Sequence, residues 1–153
     1  MALSQTRTYS DNESKTFIIG LESYFFGESG TLDFKVGDTA LKAQLAGGTV
    51  TVGGKVLEAG EGDTVIGIHD FTGNRNPELV VARRSSDLVQ ASVYSLKDGQ
   101  WQLVGKVGAK DAKEIRVFRQ VLSIRKGDAL LSWTWHSGAF DFKSSDGSPE
   151  PVL

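Results

Sequence analysis

Oxygen-bearing side chains fall at every second position of one short stretch, at Asp70, Thr72, Asn74, Asn76 and Glu78, between apolar runs at 65–68 and 79–81. Such spacing suits a hard cation, because calcium takes six to eight oxygen ligands in a flexible geometry. Asp70, Thr72, Asn74 and Glu78 would offer side chains, and Asn76 its carbonyl. The same residues can instead tie the loop to itself, with Asp70 and Thr72 capping backbone N–H groups. Calcium is the one cofactor the sequence suggests. Only Asp70 and Glu78 are charged ligands, since Thr72 and Asn74 are neutral, and Arg75 adds a positive charge beside the ion; both lower the affinity such a loop could reach.

Other constellations carry less specific chemistry. Trp133, Trp135, Phe140 and Phe142 crowd a turn at Ser137 and Gly138. Aromatic rows can stack on sugars, and they also pack sheet cores as cross-strand pairs. His69 could be imagined as a general base, but no serine stands at a diagnostic spacing or in a nucleophile elbow. Arg83, Arg84, Arg125 and Lys126 lie at strand ends, with Arg116 and Arg119 between; as neighbours they would form a basic rim for a carboxylate-bearing partner. Gly47-Gly48 and Gly53-Gly54 bracket a strand without the lysine–serine pair of a phosphate loop.

These residues are positioned by strands. Apolar residues recur at period two in Phe17/Ile19/Leu21, Leu32/Phe34/Val36, Leu41/Ala43/Leu45, Val50/Val52, Ile66/Ile68, Trp101/Leu103 and Leu131/Trp133/Trp135. Gly53-Gly54 and Asp98-Gly99 supply the positive φ of two-residue hairpin turns. Residues 114–125 are the only rival to this pattern, but their β-branched and aromatic content predicts one long strand, with a bulge near Phe118 where the apolar phase shifts. The count is about ten or eleven strands at sandwich or barrel spacing. The expectation is an all-β chain, an antiparallel two-sheet sandwich or flattened barrel, with a flexible leader at 1–14 and a single domain over 15–153.

Bulk composition narrows the function classes. The 17 basic and 19 acidic residues give a net charge of −2, without the electrostatic footprint of a nucleic-acid binder. No cysteine is present, which removes disulfides, thiolate metal sites and cysteine catalysis, and two histidines make a His-rich zinc site poor chemistry. No apolar run reaches the roughly 20 residues of a membrane-spanning helix. The first residues lack a signal pattern, so the expected location is cytoplasmic, or periplasmic or secreted if a signal peptide has been removed.

With its flanking strands, the Asp70 loop resembles the Asp-rich loop of FG-GAP and VCBS-type repeats, D-x-D-G-D-G-x-x-D/E-L, over about residues 64–107. That resemblance implies an extracellular or periplasmic setting and calcium binding. Thr72 and Asn74 depart from it in place of acidic ligands, as does Arg75 in place of glycine. The chain also resembles small β-proteins that inhibit lysozymes, some of which push a Ser-Gly-x-x-Tyr type loop into the enzyme cleft. The nearest segments are Ser137-Gly138-Ala139-Phe140 and Arg83-Arg84-Ser85-Ser86-Asp87, the latter in a predicted loop from Arg83 to Leu88. The function expected is therefore non-catalytic: a bacterial protein-recognition or enzyme-inhibitor module using Arg83, Arg84, Ser85, Ser86, Ser137, Gly138 and Phe140. The alternatives are a carbohydrate-binding module using Trp133 and Trp135, and a hydrolase.

Overall fold

A computed structural model describes residues 16–136 and 139–144, with the backbone alone from 136 onward. The expected leader at 1–14 lies outside the described residues. Those described form strands and connecting turns, with no helix among them. In chain order the strands are β1 (Ile18–Ile19), β2 (Ser23–Phe26), β3 (Ser29–Val36), β4 (Thr39–Ala46), β5 (Thr49–Val52), β6 (Lys55–Ala59) and β7 (Asp63–His69). There follow β8 (Glu78–Ser85), β9 (Leu88–Lys97), β10 (Gln100–Lys110), β11 (Ile115–Phe118), β12 (Val121–Lys126), β13 (Ala129–His136) and β14 (Ala139–Ser144).

Three sheets result, in the orders β1-β11-β12-β13-β14, β10-β9-β8-β7-β2 and β3-β4-β5-β6, none closed into a barrel. All described pairings are antiparallel except β1 with β11. The all-β expectation holds, and the sandwich carries a third layer. Tyr24, Val65, Val80, Ala82 and Ala91 of the second sheet pack against Ile115, Val117, Leu122, Ile124 and Trp133 of the first. From its other face Phe25, Ile66, Ile68, Leu79 and Val81 meet Leu32, Phe34, Leu45, Val50 and Val52 of the third. The second sheet is thus covered on both sides, which is why β7 and β8 are buried at nearly every position while β11 alternates. A strand wetted on one face alternates, whereas one covered on both reads as a continuous apolar run.

The two glycine-containing turns read from the sequence are present. Val52 pairs with Lys55 around Gly53 and Gly54, and Lys97 with Gln100 around Asp98 and Gly99, all four turn residues at positive φ. Elsewhere the sequence reading needs correcting. The predicted long strand over 114–125 is a hairpin: Phe118 pairs with Val121, leaving Arg119 and Gln120 as a two-residue turn. The turn itself produces the odd-to-even shift, because facing partners such as Val117 and Leu122 have opposite parity. The predicted loop at 83–88 is also mostly strand. Arg83, Arg84 and Ser85 belong to β8, and Ser85 pairs with Leu88, so only Ser86 and Asp87 turn the chain.

Candidate functional site

The Asp70 loop closes on itself. Asp70 Oδ1 accepts hydrogen bonds from Thr72 N (3.2 Å), Thr72 Oγ1 (2.9 Å) and Gly73 N (2.9 Å), and Oδ2 accepts one from Arg75 N (2.8 Å). Thr72 Oγ1 accepts from Asn74 N, and Asn74 Oδ1 from Asn76 N. Partial burial opposes the charge on Asp70, but the donors from Arg75, Thr72 and Gly73 outweigh it and hold its carboxyl below the ordinary value. Arg75, standing where the repeat has glycine, sits at φ 69°. These hydrogen bonds are those of a capping turn. Millimolar calcium is therefore expected to leave the melting temperature unchanged, whereas Asp70→Ala should cost about 1–3 kcal/mol, the range for lost hydrogen bonds to a charged group. A calcium-dependent rise in melting temperature that Asp70→Ala abolishes would restore the ion-binding reading.

Glu78 plays a different part. It is buried, and its Oε1 accepts a hydrogen bond from Phe71 N at 2.9 Å. Burial pushes its carboxyl up to about 7 against the opposing Phe71 N–H, with the nearby charges of Asp70 and Glu22 adding to the rise. Since the folded value lies above the ordinary 4.5, the stabilising contribution of Glu78 is complete below about pH 4.5 and is lost as pH rises through about 7. Glu78→Gln, which keeps an acceptor for Phe71, should raise the melting temperature at pH 8 and change it little at pH 4.5. An equal shift at both pH values would show that Glu78 is not titrating in the folded protein.

Arg83 and Arg84 stand at the opposite end of β7 and β8, across from Thr64 and Asp63. Arg83 is only 4% exposed, and its Nε donates to Glu58 Oε2 at 2.8 Å and its Nη1 to Thr64 Oγ1 at 3.2 Å. Tyr94 donates its hydroxyl proton to the other Glu58 oxygen at 2.7 Å. A partner cannot reach Arg83, so its place in the predicted binding loop is corrected: an odd residue of β8, it shares the inward face of Leu79 and Val81. Arg84 is engaged by Asp63 at 2.8 Å and lies 4.9 Å from the Phe17 ring centroid. Ser85 and Ser86 are exposed. A cavity of about 420 Å³ is lined by Phe26, Glu28, Gly48, Gly60, Asp63 and Thr64 among others. Gly48 and Gly60 serve packing: a Cβ on Gly48 would fall 2.1 Å from the Gly60 carbonyl oxygen, and one on Gly60 2.8 Å from Arg83 Cζ.

Trp133 is fully buried and Trp135 is 8% exposed. Both rings belong to the core shared by the first two sheets, so neither offers an open face to a sugar. Ser137 and Gly138 lie outside the described residues, and of Phe140 only its backbone pairing with Trp135 is described.

The β11–β12 hairpin tip, which sequence reasoning missed, exposes an aromatic ring beside a guanidinium. Phe118 is 69% exposed, and the Arg119 guanidinium lies 5.3 Å from its ring centroid. Arg119 holds φ at 53°, a left-handed conformation that a non-glycine residue adopts at a cost. Contacts from both packed sheets hold the turn. The Arg119 carbonyl accepts a 2.7 Å hydrogen bond from His69 Nε2, which must carry the proton because a carbonyl can only accept. The Gln120 carbonyl accepts from Trp135 N at 2.7 Å. His69 is itself buried, its ring against Phe71 at 4.6 Å, so it acts as a strut between the second sheet and this turn.

Among the described residues, fold and site together define a three-layer all-β arrangement with an exposed aromatic–arginine turn at one end. No protein-family model, no curated protein and no solved structure matches the chain.

Proposed function

We propose that the protein is a non-catalytic recognition domain that binds a protein partner through the tip of the β11–β12 hairpin. The observation carrying this reading is the exposed Phe118–Arg119 pair on a turn whose two carbonyls are fixed by His69 and Trp135. Aromatic residues and arginine lead among interface anchors. Holding them rigid before contact lowers the ordering cost of binding. An exposed aromatic ring on a hydrogen-bonded turn can enter a concave site on a partner, which favours an enzyme-inhibitor role within this class. The burial of Trp133 and Trp135 weighs against the carbohydrate alternative.

The test uses a partner captured from bacterial extract and then purified. Phe118→Ala and Arg119→Glu should each weaken its affinity about 30-fold, the loss of an anchor worth about 2 kcal/mol. Their melting temperatures should match the parent, because both side chains stand in solvent. If the partner is an enzyme, the parent should inhibit it in equimolar amount and the variants should not. Unchanged affinity in both variants would remove the tip as the binding element.

A further inference from the structure

We propose that the outward face of β11, β12 and β13, continuous with the tip, binds an acidic peptide segment of the partner, its carboxylates gripped by Arg116 and Arg125. This rests on the reading of the protein as a recognition domain and adds the chemistry of what it recognises.

Strand alternation builds the face. Ile115, Val117, Leu122 and Ile124 fill the core, so Arg116, Phe118, Ser123 and Arg125 must point outward. Arg116 pairs with Ser123, and Arg125 with Leu130, one side-chain step further along β12. Between them lies a depression of about 430 Å³ lined by Glu114, Arg116, Ser123, Arg125 and Leu130. The two guanidiniums flank a hydroxyl, with an apolar wall at Leu130, which is 36% exposed. A glutamate or aspartate side chain meets all three needs: a carboxylate for the planar fork of arginine, an acceptor for Ser123, and a short apolar stem for Leu130.

Charge selects the same class of ligand. Residues 114–126 carry four cations against one carboxylate, in a chain whose net charge is −2. Arg125 is exposed and makes no ion pair with another described residue. Arg116 is held by Glu114 at 2.6 Å, but both are well exposed, at 65% and 41%. An ion pair in water contributes little, so an incoming carboxylate can exchange with Glu114. Nucleic acid and sulfated polysaccharide fit less well, since their regularly spaced charges call for an extended basic stripe, whereas this face offers a compact arginine pair with an apolar neighbour. Phe118 lies one side-chain step from Arg116 on the same face, so an acidic segment gripped here runs alongside the aromatic anchor.

The experiment is an amide-shift NMR titration of the full chain with an acetylated hexaglutamate peptide at low salt. Single-stranded oligothymidylate and heparin serve as polyanion controls. The expected result is saturable shifts centred on Arg116, Ser123, Arg125 and Leu130, weakened at least 10-fold by Arg125→Glu, abolished by 0.5 M salt, and unaffected by Lys97→Glu. Three results would overturn the proposal: no saturable shift with hexaglutamate, binding indifferent to Arg125→Glu, or equal or tighter binding of either control polyanion. Failure here while Phe118→Ala still releases the captured partner would remove the acidic-peptide site alone. Loss of both would remove the recognition reading as well.

Discussion

Arg83→Ala should lower the unfolding free energy by about 3–5 kcal/mol, the cost of removing one member of a buried ion pair. For a chain of this size that corresponds to a fall in melting temperature of about 6–20 °C. The reason lies with what is left behind. Glu58 holds Arg83 Nε on one oxygen and the Tyr94 hydroxyl on the other, and Thr64 Oγ1 completes the arginine's contacts. Tyr94 depends on that carboxylate, its phenol being pushed above its ordinary value by burial and by the bond to Glu58. Removing the guanidinium leaves Glu58 charged and only 18% exposed, with a void beneath Gly60. The pair as a whole is a weaker stabiliser than this loss suggests, because Arg83 Nη2 is buried without a partner among the described residues. Replacing all three members, Arg83→Met and Glu58→Leu with Tyr94→Phe so that no hydroxyl loses its acceptor, should therefore recover a large part of the loss. Chemical denaturation of the single and triple variants checks this. A triple variant no more stable than Arg83→Ala would mean that the network is worth more than an apolar filling.

Trp133→Ala should cost a similar amount, about 3–5 kcal/mol, because it empties the largest fully buried side chain from the interface between the first two sheets. Chemical denaturation reads that cost, and fluorescence quenching of the parent decides between core and sugar platform. In the parent, iodide should reach at most Trp101, the half-buried third tryptophan, and neutral oligosaccharides should leave the emission unchanged. Strong quenching of all three tryptophans, relieved by an oligosaccharide, would place the rings at a binding surface and contradict their burial.

Some of this architecture is legible in the residues and some is not, for identifiable reasons. The strands of the third sheet and β11 alternate because one face meets water, so Leu32, Phe34 and Val36 or Ala43 and Leu45 announce themselves by period two. The second sheet conceals its double burial, since Ile66 and Ile68 read as one buried face while nothing local shows that Val65 and Gly67 beside them are covered too. What covers Ile66 and Ile68, the β3–β6 meander, is set by contacts distant in sequence. The β11–β12 turn escapes notice because Arg119 and Gln120 lack the asparagine or glycine that marks tight hairpins. A two-residue hairpin demands the positive φ at Arg119, and hydrogen bonds from His69 and Trp135 hold the turn's carbonyls. The one local signal is the parity change between Val117 and Leu122, which a hairpin explains better than a bulge. Arg83 misleads in the opposite sense: an Arg-Arg-Ser-Ser run reads as a wet loop, yet its parity places Arg83 beneath Leu79 and Val81. In the Asp70 loop, the pattern locates a loop that binds its own backbone, but the same alternating oxygens serve a cation or a cap equally, and only the directions of the N–H groups separate them.

The central claim, recognition through the hairpin tip, is tested most directly by site-specific photo-crosslinking. Benzoylphenylalanine is placed at Phe118 in one protein and at Ser86, at the far end of β8, in another, and each is irradiated with the same extract. The account predicts a covalent adduct with one discrete partner from position 118, competed away by excess unlabelled parent and not by Arg119→Glu, with none from position 86. A competed adduct from position 86 alone, or none from position 118, would contradict it.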